Sequence, residues 1–243
     1  MIGSKHLTAM IPARLGSQRL AQKNLVLLAG EPLISYAIRA ATDSGVFDRV
    51  VINSESLVFK KVAEVYGAEF YHRPEELASA EAQSDDVVQD FMLNHQTDVV
   101  AWVNPIAPLQ PADEVREVMT HFVEADLDSL ITVREEPVHC NYQGRPLNYD
   151  PDEKFARTQD LAPVERFVYS LMVWKTQTFL DTYDKNGYAV LFGKMGFPAV
   201  SRESSIIVKK EEDIRMCEYI LQGMQANKDR PLTYFEVPGE DGQ

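Results

Sequence analysis

The first half of the chain alternates short apolar runs of strand length with longer segments in which apolar residues recur every three or four positions. The short runs predict strands at Leu7–Pro12, Arg49–Ser54, Glu69–Tyr71, Val99–Asn104 and Ser129–Val133. The periodic segments predict helices at Leu33–Ser44, Leu57–Tyr66, Val87–Met92 and Val115–Val123. Such alternation produces a mainly parallel sheet with helices on both faces, because each crossover returns the chain over the sheet. We therefore predict an α/β, Rossmann-like fold.

The alternation breaks down between residues 135 and 197, where prolines punctuate polar, aromatic-rich sequence. We expect residues 135–197 to leave the core as an inserted lobe that serves as a substrate wall, a dimer contact, or both. Within it, Val168–Trp174 is a short strand-like run. The chain then returns with a predicted strand at Ser205–Val208 and a closing helix at Glu211–Gln222. Residues 1–243 are thus predicted to form one domain.

The charge balance limits the partners of the chain. It has 24 basic and 37 acidic residues and a net charge of −13, so its surface would repel nucleic acids and anionic membranes. No apolar run approaches the roughly 20 residues that span a bilayer, and the first residues lack the apolar segment of a signal peptide. Cys140 and Cys217 form no short-spaced pair, which argues against a disulfide framework or a zinc site. We expect a cytoplasmic protein that binds neither nucleic acid nor membranes.

The loop after the first predicted strand gathers positive charge. No acidic residue precedes Glu31, whereas Arg14, Arg19 and Lys23 all fall between the first strand and the first helix. Guanidinium groups bind phosphate oxygens in a forked geometry, and lysine adds a compact charge. Gly16 lets the backbone come close to an anion. Because ligands of parallel sheets bind beyond the carboxyl ends of the strands, we predict a phosphate site here; the alternative is a solvated basic loop.

Other catalytic motifs are absent from the sequence. The loop matches neither the Walker pattern Gly-x-x-x-x-Gly-Lys-Ser/Thr nor the dinucleotide pattern Gly-x-Gly-x-x-Gly, which disfavours an ATPase and a dehydrogenase. The five histidines lack the spacing of metal ligands, and no nucleophile relay can be argued from them. The cationic loop is therefore the main functional signal.

The segment Ile11–Asn24, which reads IPARLGSQRLAQKN, resembles the signature of the acylneuraminate cytidylyltransferases, the CMP-sialic acid synthetase family. The likeness continues at Gly30–Ile34, Ser44–Val51, Gly67–Glu69, Arg73–Ala78 and Asn104–Pro108, and more faintly at Ser204–Asp213. This resemblance implies transfer of CMP from CTP to the anomeric hydroxyl of an acidic, nine-carbon 2-keto-3-deoxy sugar, with release of pyrophosphate. It also implies a Mg²⁺ requirement and a homodimer.

Carried over by position, the resemblance implies seven nucleotide-binding residues: Arg14, Ser17, Arg19, Lys23, Asn24, Arg73 and Ser84. Arg14 and Lys23 are also expected to act in catalysis, because the reacting phosphates carry charge that must be neutralised. Arg73 and Ser84 match family positions at the base and the ribose. Their structural alternatives are a turn residue before Pro74 and a helix N-cap, respectively.

The candidates on the sugar side are Asn104, Arg157 and Arg166, with Arg157 as a clamp for the sugar carboxylate. The loop that begins at Asn104 reads Asn-Pro-Ile-Ala-Pro, where the family usually has Gln-Pro-Thr-Ser-Pro. The sugar-side pattern Arg-Pro-Asn-Gly of the family has no clean counterpart, although Arg166–Ser170, which reads RFVYS, lies nearby.

The metal motif of the family is replaced. The family places an Asp-x-Asp just before the final helix, and the aligned residues here are Ile207 and Lys209, neither of which can ligate Mg²⁺. Three explanations remain open. Other acids, such as Glu55 or Glu211–Asp213, hold the metal; or the ammonium of Lys209 replaces one metal contact in catalysis; or catalysis has been lost.

We predict a cytidylyltransferase that uses CTP and a sialic-acid-like sugar. One alternative is a catalytically impaired relative that keeps the nucleotide loop. Another is a sugar nucleotidyltransferase with a different nucleotide or sugar. A glycosyltransferase of similar sheet architecture is a more distant alternative. Such enzymes usually hold metal with an Asp-x-Asp, and no such pair stands at the end of a central predicted strand in this sequence.

Overall fold

The computed structural model describes residues 5–17, 19–226 and 231–235. Its strands are β1 (Leu7–Pro12), β2 (Leu27–Leu28), β3 (Glu31–Pro32), β4 (Arg49–Ser54), β5 (Glu69–His72), β6 (Val99–Val103), β7 (Ser129–Glu136), β8 (Asn141–Tyr142), β9 (Arg145–Pro146), β10 (Val164–Lys175) and β11 (Met195–Gly196). Its helices are α1 (Leu33–Ser44), α2 (Val58–Tyr66), α3 (Ser84–Asn94), α4 (Ala112–Glu124), α5 (Thr176–Asn186) and α6 (Glu211–Ala226). Within the described ranges, no helix combines the length and the apolar character needed to cross a bilayer.

Seven strands form one sheet in the order β11-β7-β10-β6-β1-β4-β5. Strands β6, β1, β4 and β5 are parallel neighbours, whereas β10 runs antiparallel between β6 and β7. The chain builds from β1 through β4 to β5 on one side and then returns to place β6 on the other side of β1. The strand order therefore reverses at β1. The predicted α/β fold with a mainly parallel sheet is confirmed.

Successive residues of β1 enter two different apolar layers, because side chains alternate across a strand. On one face, Ile11 packs in a cluster with residues of α1 and with Phe122 of α4. On the other face, Met10 packs in a cluster with Phe91 of α3 and Phe179 of α5. All of these side chains are buried, and full burial of one contributes about 1.5–3 kcal/mol. Helices therefore cover both faces of the sheet, as predicted.

The middle of the chain contributes more to the core than the sequence indicates. We expected residues 135–197 to leave the core, but this is wrong for β10, which is inserted between β6 and β7 and is mostly buried from Val168 to Trp174. Helix α5, which the sequence analysis did not predict, follows directly and places Phe179 5.8 Å from Trp174 between ring centres. Residues 137–163, with the β8–β9 hairpin, do lie outside the seven-stranded sheet. A dimer contact there stays a prediction.

Residues Ser205–Val208 do not form the predicted strand. Residues 202–205 make a turn, and the chain is then irregular until α6 begins at Glu211. The backbone N–H of Val208 donates a hydrogen bond to the carbonyl of Ile106 at 2.8 Å. The segment therefore bonds to the loop after β6 and not to a strand, but this contact still brings it to the carboxyl end of the sheet.

The place of β10 in the core can be tested by truncating Trp174, which is fully buried and whose indole N–H donates to the carbonyl of Val190 at 2.8 Å. We expect Trp174→Ala to lower the free energy of unfolding by about 3–5 kcal/mol in urea titrations, because it leaves a large cavity. Tyr188→Ala is the matched control from residues 135–197. Tyr188 is 62% exposed and lies outside residues 137–163, so its loss should change the free energy of unfolding by less than about 0.5 kcal/mol. Equal effects of the two substitutions would contradict a core role for β10.

Candidate functional site

A cleft with a volume of about 340 Å³ opens at the carboxyl ends of β1 and β6, where the strand order reverses. Its wall contains seven of the residues singled out from the sequence: Arg14, Ser17, Lys23, Asn24, Arg73, Ser84 and Asn104. These residues come from distant parts of the chain and meet because parallel strands end at the same edge of the sheet. The structure thus brings most of the sequence candidates together in one concave site.

The loop after β1 is anchored by Glu55, which directly follows β4. Its Oε1 accepts a hydrogen bond from the backbone N–H of Leu15 at 2.8 Å, and its Oε2 accepts one from Nη2 of Arg73 at 3.2 Å. The same Nη2 also donates to the carbonyl of Ala13 at 3.2 Å. One carboxylate therefore holds both the cationic loop and Arg73 in place.

Arg73 is a buried guanidinium in the cleft wall, with only 5% of its surface exposed. Burial lowers its pKa, and the neighbouring charge of Glu55 acts in the opposite direction. Arginine is almost never this buried unless it is paired, and its Nε has no hydrogen-bond partner among the described residues. An ordinary turn residue before Pro74 would not need such burial, so the position favours a binding role.

Lys23 lies among positive charges. Its pKa is lowered, first by burial and then by the charges of Arg19 and Arg14, with a further contribution from Lys209. Its Nζ donates to the carbonyl of Val208 at 3.3 Å. A lowered lysine pKa means that the surroundings disfavour the charged form, and a bound polyanion would reverse that effect. Arg19 and Lys209 do not line the cleft, but both are close enough to act on Lys23.

Three buried polar atoms of cleft-wall residues have no hydrogen-bond partner in the described part of the chain: Asn24 Oδ1, Arg73 Nε and Trp102 Nε1. Buried polar groups are nearly always paired in proteins, so a group of unpaired ones beside a cleft points to a ligand. The ligand would have to offer both acceptors and a donor. The sequence analysis did not single out Trp102, and the available signal was its position in the strand that leads to Asn104.

Ser84 is the first residue of α3 but does not cap it. The N-cap is Gln83, whose backbone N–H donates to Oδ2 of Asp86 at 3.2 Å in a capping box. The alternative interpretation of Ser84 as the N-cap is therefore wrong. Ser84 lies in the cleft wall instead, at the start of a helix.

Two sugar-side candidates lie away from the cleft. Arg157 forms an ion pair with Asp160 at 2.7 Å, and Arg166 forms one with Glu136 on the neighbouring strand β7 at 2.9 Å. Neither arginine belongs to the cleft wall, and each already has a carboxylate partner. Of the three sugar-side candidates, the structure places only Asn104 with the nucleotide-binding candidates.

In the part of the chain that the structure describes, the cleft wall contains no aspartate or glutamate. Among the proposed replacements, Glu55 is engaged by the loop and Arg73, and Asp213 Oδ2 accepts the backbone N–H groups of Lys209 at 2.7 Å and Lys210 at 2.8 Å. No group of three histidine, cysteine, aspartate or glutamate residues is arranged to hold a metal in the ranges the structure describes. Since Mg²⁺ needs oxygen ligands such as carboxylates, the residues present do not fit a magnesium ion held by the protein.

Comparison with known proteins identifies the family of the chain. A family model described as cytidylyltransferase matches residues 8–230. The N-acylneuraminate cytidylyltransferase of Escherichia coli O18:K1:H7 (strain RS218 / NMEC) is 38% identical over 119 residues, which cover 49% of this chain and 27% of that protein. The pseudaminic acid cytidylyltransferase of Campylobacter jejuni subsp. jejuni serotype O:2 is 33% identical over 164 residues, covering 63% of this chain and 71% of that protein. The chain spans less than half the length of the N-acylneuraminate enzymes it matches.

A solved structure of CMP:2-keto-3-deoxy-manno-octonic acid synthetase complexed with CTP has the same fold, with a TM-score of 0.63 at 14% identity over 92% of this chain and 99% of that one. The 4-diphosphocytidyl-2C-methyl-D-erythritol synthase of Anaerococcus prevotii DSM 20548 gives the same TM-score at 12% identity, over 90% of this chain and 99% of that one. At such low identity these likenesses support the fold alone. Because the family model covers residues 8–230, the chain belongs to the cytidylyltransferase family that its first loop resembles, that of the acylneuraminate cytidylyltransferases.

Proposed function

We propose that this protein transfers CMP from CTP to an acidic 2-keto-3-deoxy sugar and releases pyrophosphate. The observation that carries the proposal is the cleft at the strand-order reversal, whose wall holds Arg14, Lys23 and Arg73 and, among the described residues, no carboxylate. Burial lowers the pKa of both Lys23 and Arg73, and the charges of Arg19 and Arg14 lower that of Lys23 further, so the surroundings of Lys23 disfavour its positive charge. A nucleoside triphosphate supplies compensating negative charge, and its base and ribose supply partners for the unpaired wall atoms.

In this reaction the anomeric hydroxyl oxygen of the sugar attacks the α-phosphorus of CTP, and the bond to the bridging oxygen of the β-phosphate breaks in line with it. The hydroxyl proton passes to solvent, because the residues that the structure describes in the cleft wall include neither a carboxylate nor a histidine. Arg14 and Lys23 neutralise the charge on the transferred and departing phosphates. Holding both substrates in one cleft supplies the orientation that in-line attack requires.

The described residues of the cleft wall do not fit the Mg²⁺ ion that the resemblance implies. None of the reaction steps given above depends on that ion. We propose that Lys209 supplies a fixed positive charge beside the triphosphate. Its charge already contributes to lowering the pKa of Lys23, and Asp213 holds its backbone at the start of α6. The segment that carries Lys209 is also tied to the loop after β6 through Val208.

A nucleotide-binding protein without transferase activity is the second candidate. It is favoured by Ile207 and Lys209 at the positions where the family has its acids, and by the absence of any acid among the described residues of the cleft wall. A nucleotidyltransferase with another nucleotide or sugar would use the same cationic loop.

We also propose a homodimer that uses the segment outside the sheet. Several of its large apolar side chains are exposed: Val138, Tyr142, Leu147 and Phe155. Exposed apolar groups that cluster on one surface segment often mark a protein interface.

The two candidates are separated by measuring pyrophosphate. We expect release of pyrophosphate from CTP with at least one of N-acylneuraminate, pseudaminic acid and 2-keto-3-deoxy-manno-octonic acid, and no release with neutral sugars. Lys209→Met should lower the rate at least about tenfold, because it removes one charge near the reacting phosphates. Thermal stabilisation by CTP without product from any of these sugars would reject the transferase and uphold the nucleotide-binding protein.

Replacing the cations of the cleft should separate binding from folding. Arg14→Ala and Lys23→Met should each weaken CTP binding about tenfold to a hundredfold in calorimetric titrations, since a hydrogen bond to a charged group contributes about 1.5–3 kcal/mol. Lys23→Met should leave the melting temperature of the ligand-free protein unchanged or higher, because it removes a cation whose surroundings disfavour its charge. Lys61→Met, on the exposed side of α2, is the matched control and should bind CTP normally. Normal CTP binding by both cleft variants would place the nucleotide elsewhere.

Glu55 can be compared with a carboxylate whose arginine partner is exposed. Glu55→Ala should lower the free energy of unfolding by about 3–5 kcal/mol in urea titrations, because it leaves the buried Arg73 without a counter-charge. Glu69→Ala removes the partner of the more exposed Arg49 and should cost less than about 1 kcal/mol. If the two losses were alike, the anchoring role of Glu55 would be refuted.

A further inference from the structure

Tyr169 has a backbone conformation that is unusual inside a β-strand. Its φ angle is 60°, in the left-handed region that L-residues with large side chains rarely adopt. The other described non-glycine residues with positive φ lie between regular elements or in a hairpin turn: Gln22, Ala29, Asp126 and Gln143. Tyr169 alone among these five lies inside a strand of the main sheet, where the backbone is ordinarily extended.

The surrounding structure holds this conformation in place. The pairing of β10 with β7 shifts register between Phe167 and Met172, which forms a bulge around Tyr169. The side-chain amide of Asn104 donates to the carbonyl of Tyr169 at 3.0 Å, and the backbone N–H of Asn104 donates to the carbonyl of Ser170 at 3.0 Å. Asn104 belongs to the wall of the cleft, so the strained residue is bonded directly to the candidate site.

Ser170, the residue after Tyr169, is held in place by hydrogen bonds of its own side chain. The hydroxyl of Ser170 is buried and lies within 3.0 Å of the hydroxyl of Thr132 and 3.1 Å of the side-chain amide of Gln110. These bonds determine the course of β10 at the bulge irrespective of the side chain at position 169. A glycine would adopt the same backbone without strain, because it has no Cβ.

Packing of the Tyr169 side chain does not offset the backbone strain. It is 46% exposed, and its described ring contact is an edge-on approach to Phe167 at 5.8 Å between ring centres. Its hydroxyl has no hydrogen-bond partner among the described residues. Backbone strain that is kept without a packing gain is concentrated at functional sites.

We propose that Tyr169 is a specificity-determining residue that contacts the acidic sugar on the Asn104 side of the cleft. This rests on the proposed transfer to a sugar. A tyrosine ring offers an apolar face to the C–H groups of a sugar and a hydroxyl to its polar groups. Tyr169 also lies three residues after Arg166, in the segment where the resembled family has Arg-Pro-Asn-Gly. A tyrosine side chain is therefore present near the position at which the family has a glycine.

The test compares Tyr169→Gly and Tyr169→Phe with the wild type. Tyr169→Gly should raise the melting temperature by about 2–4 °C, since it removes the strain. It should also raise the KM for the best acidic sugar at least about tenfold while the Kd for CTP stays within about twofold. Tyr169→Phe, which keeps the ring and the strain, should retain most of the affinity for the sugar. Tyr188→Ala, at another exposed tyrosine outside the cleft wall and outside the proposed dimer segment, should change neither constant.

Two outcomes would overturn the inference: an unchanged KM for the sugar in Tyr169→Gly, or a lower melting temperature of that variant, which would give the ring a structural role. If the wild type forms no product, the proposed transfer fails separately. Calorimetry on the CTP-saturated protein with N-acylneuraminate, pseudaminic acid and 2-keto-3-deoxy-manno-octonic acid then decides the role of Tyr169. A sugar that binds the wild type and not Tyr169→Gly upholds it, whereas absence of binding to the wild type or equal binding to both rejects it.

Discussion

The parallel pairing of β1 with β4 on one side and β6 on the other is the constraint on which the site depends. It ends three strands at one edge of the sheet, so the loops that follow them must face one another. Glu55 then converts this proximity into a defined wall, because its two carboxylate oxygens hold Leu15 of the first loop and the buried Arg73. Without this parallel pairing, the same residues would lie on separate surfaces.

The electrostatics of the site run against those of the whole chain. The protein has a net charge of −13, yet the described residues of its cleft wall include no carboxylate and do include Arg14, Lys23 and Arg73. The lowered pKa of Lys23 reflects burial and repulsion that the folded protein tolerates in the absence of a ligand. Such preorganised charge favours a polyanion, because the cost of gathering the cations has already been met by folding.

The proposed sugar side of the cleft differs from the proposed nucleotide side in how it is built. The nucleotide side follows the family pattern closely, from the cationic loop to Arg73. On the other side, the glycine of the family pattern has no clean counterpart and a strained tyrosine stands nearby, while Arg157 and Arg166 are paired elsewhere. Ile207 and Lys209 depart from the family at the metal positions as well. The differences from the family pattern thus concentrate in the part of the cleft where the sugar would bind and react.

Local patterns in the sequence were sufficient for the α/β fold class, the parallel half of the sheet and the cationic loop, because period-two and helical patterns reflect the burial of neighbouring residues. They placed Arg14, Arg19 and Lys23 in the loop at a strand end, and the family resemblance added Asn24, Arg73 and Ser84. Tertiary structure alone decided that β10 enters the sheet, since it pairs with residues 28 to 76 positions earlier in the chain. It likewise decided that Arg157 and Arg166 point to other partners and that Trp102 joins the wall. Such contacts depend on which strands become neighbours, and no local periodicity encodes that choice.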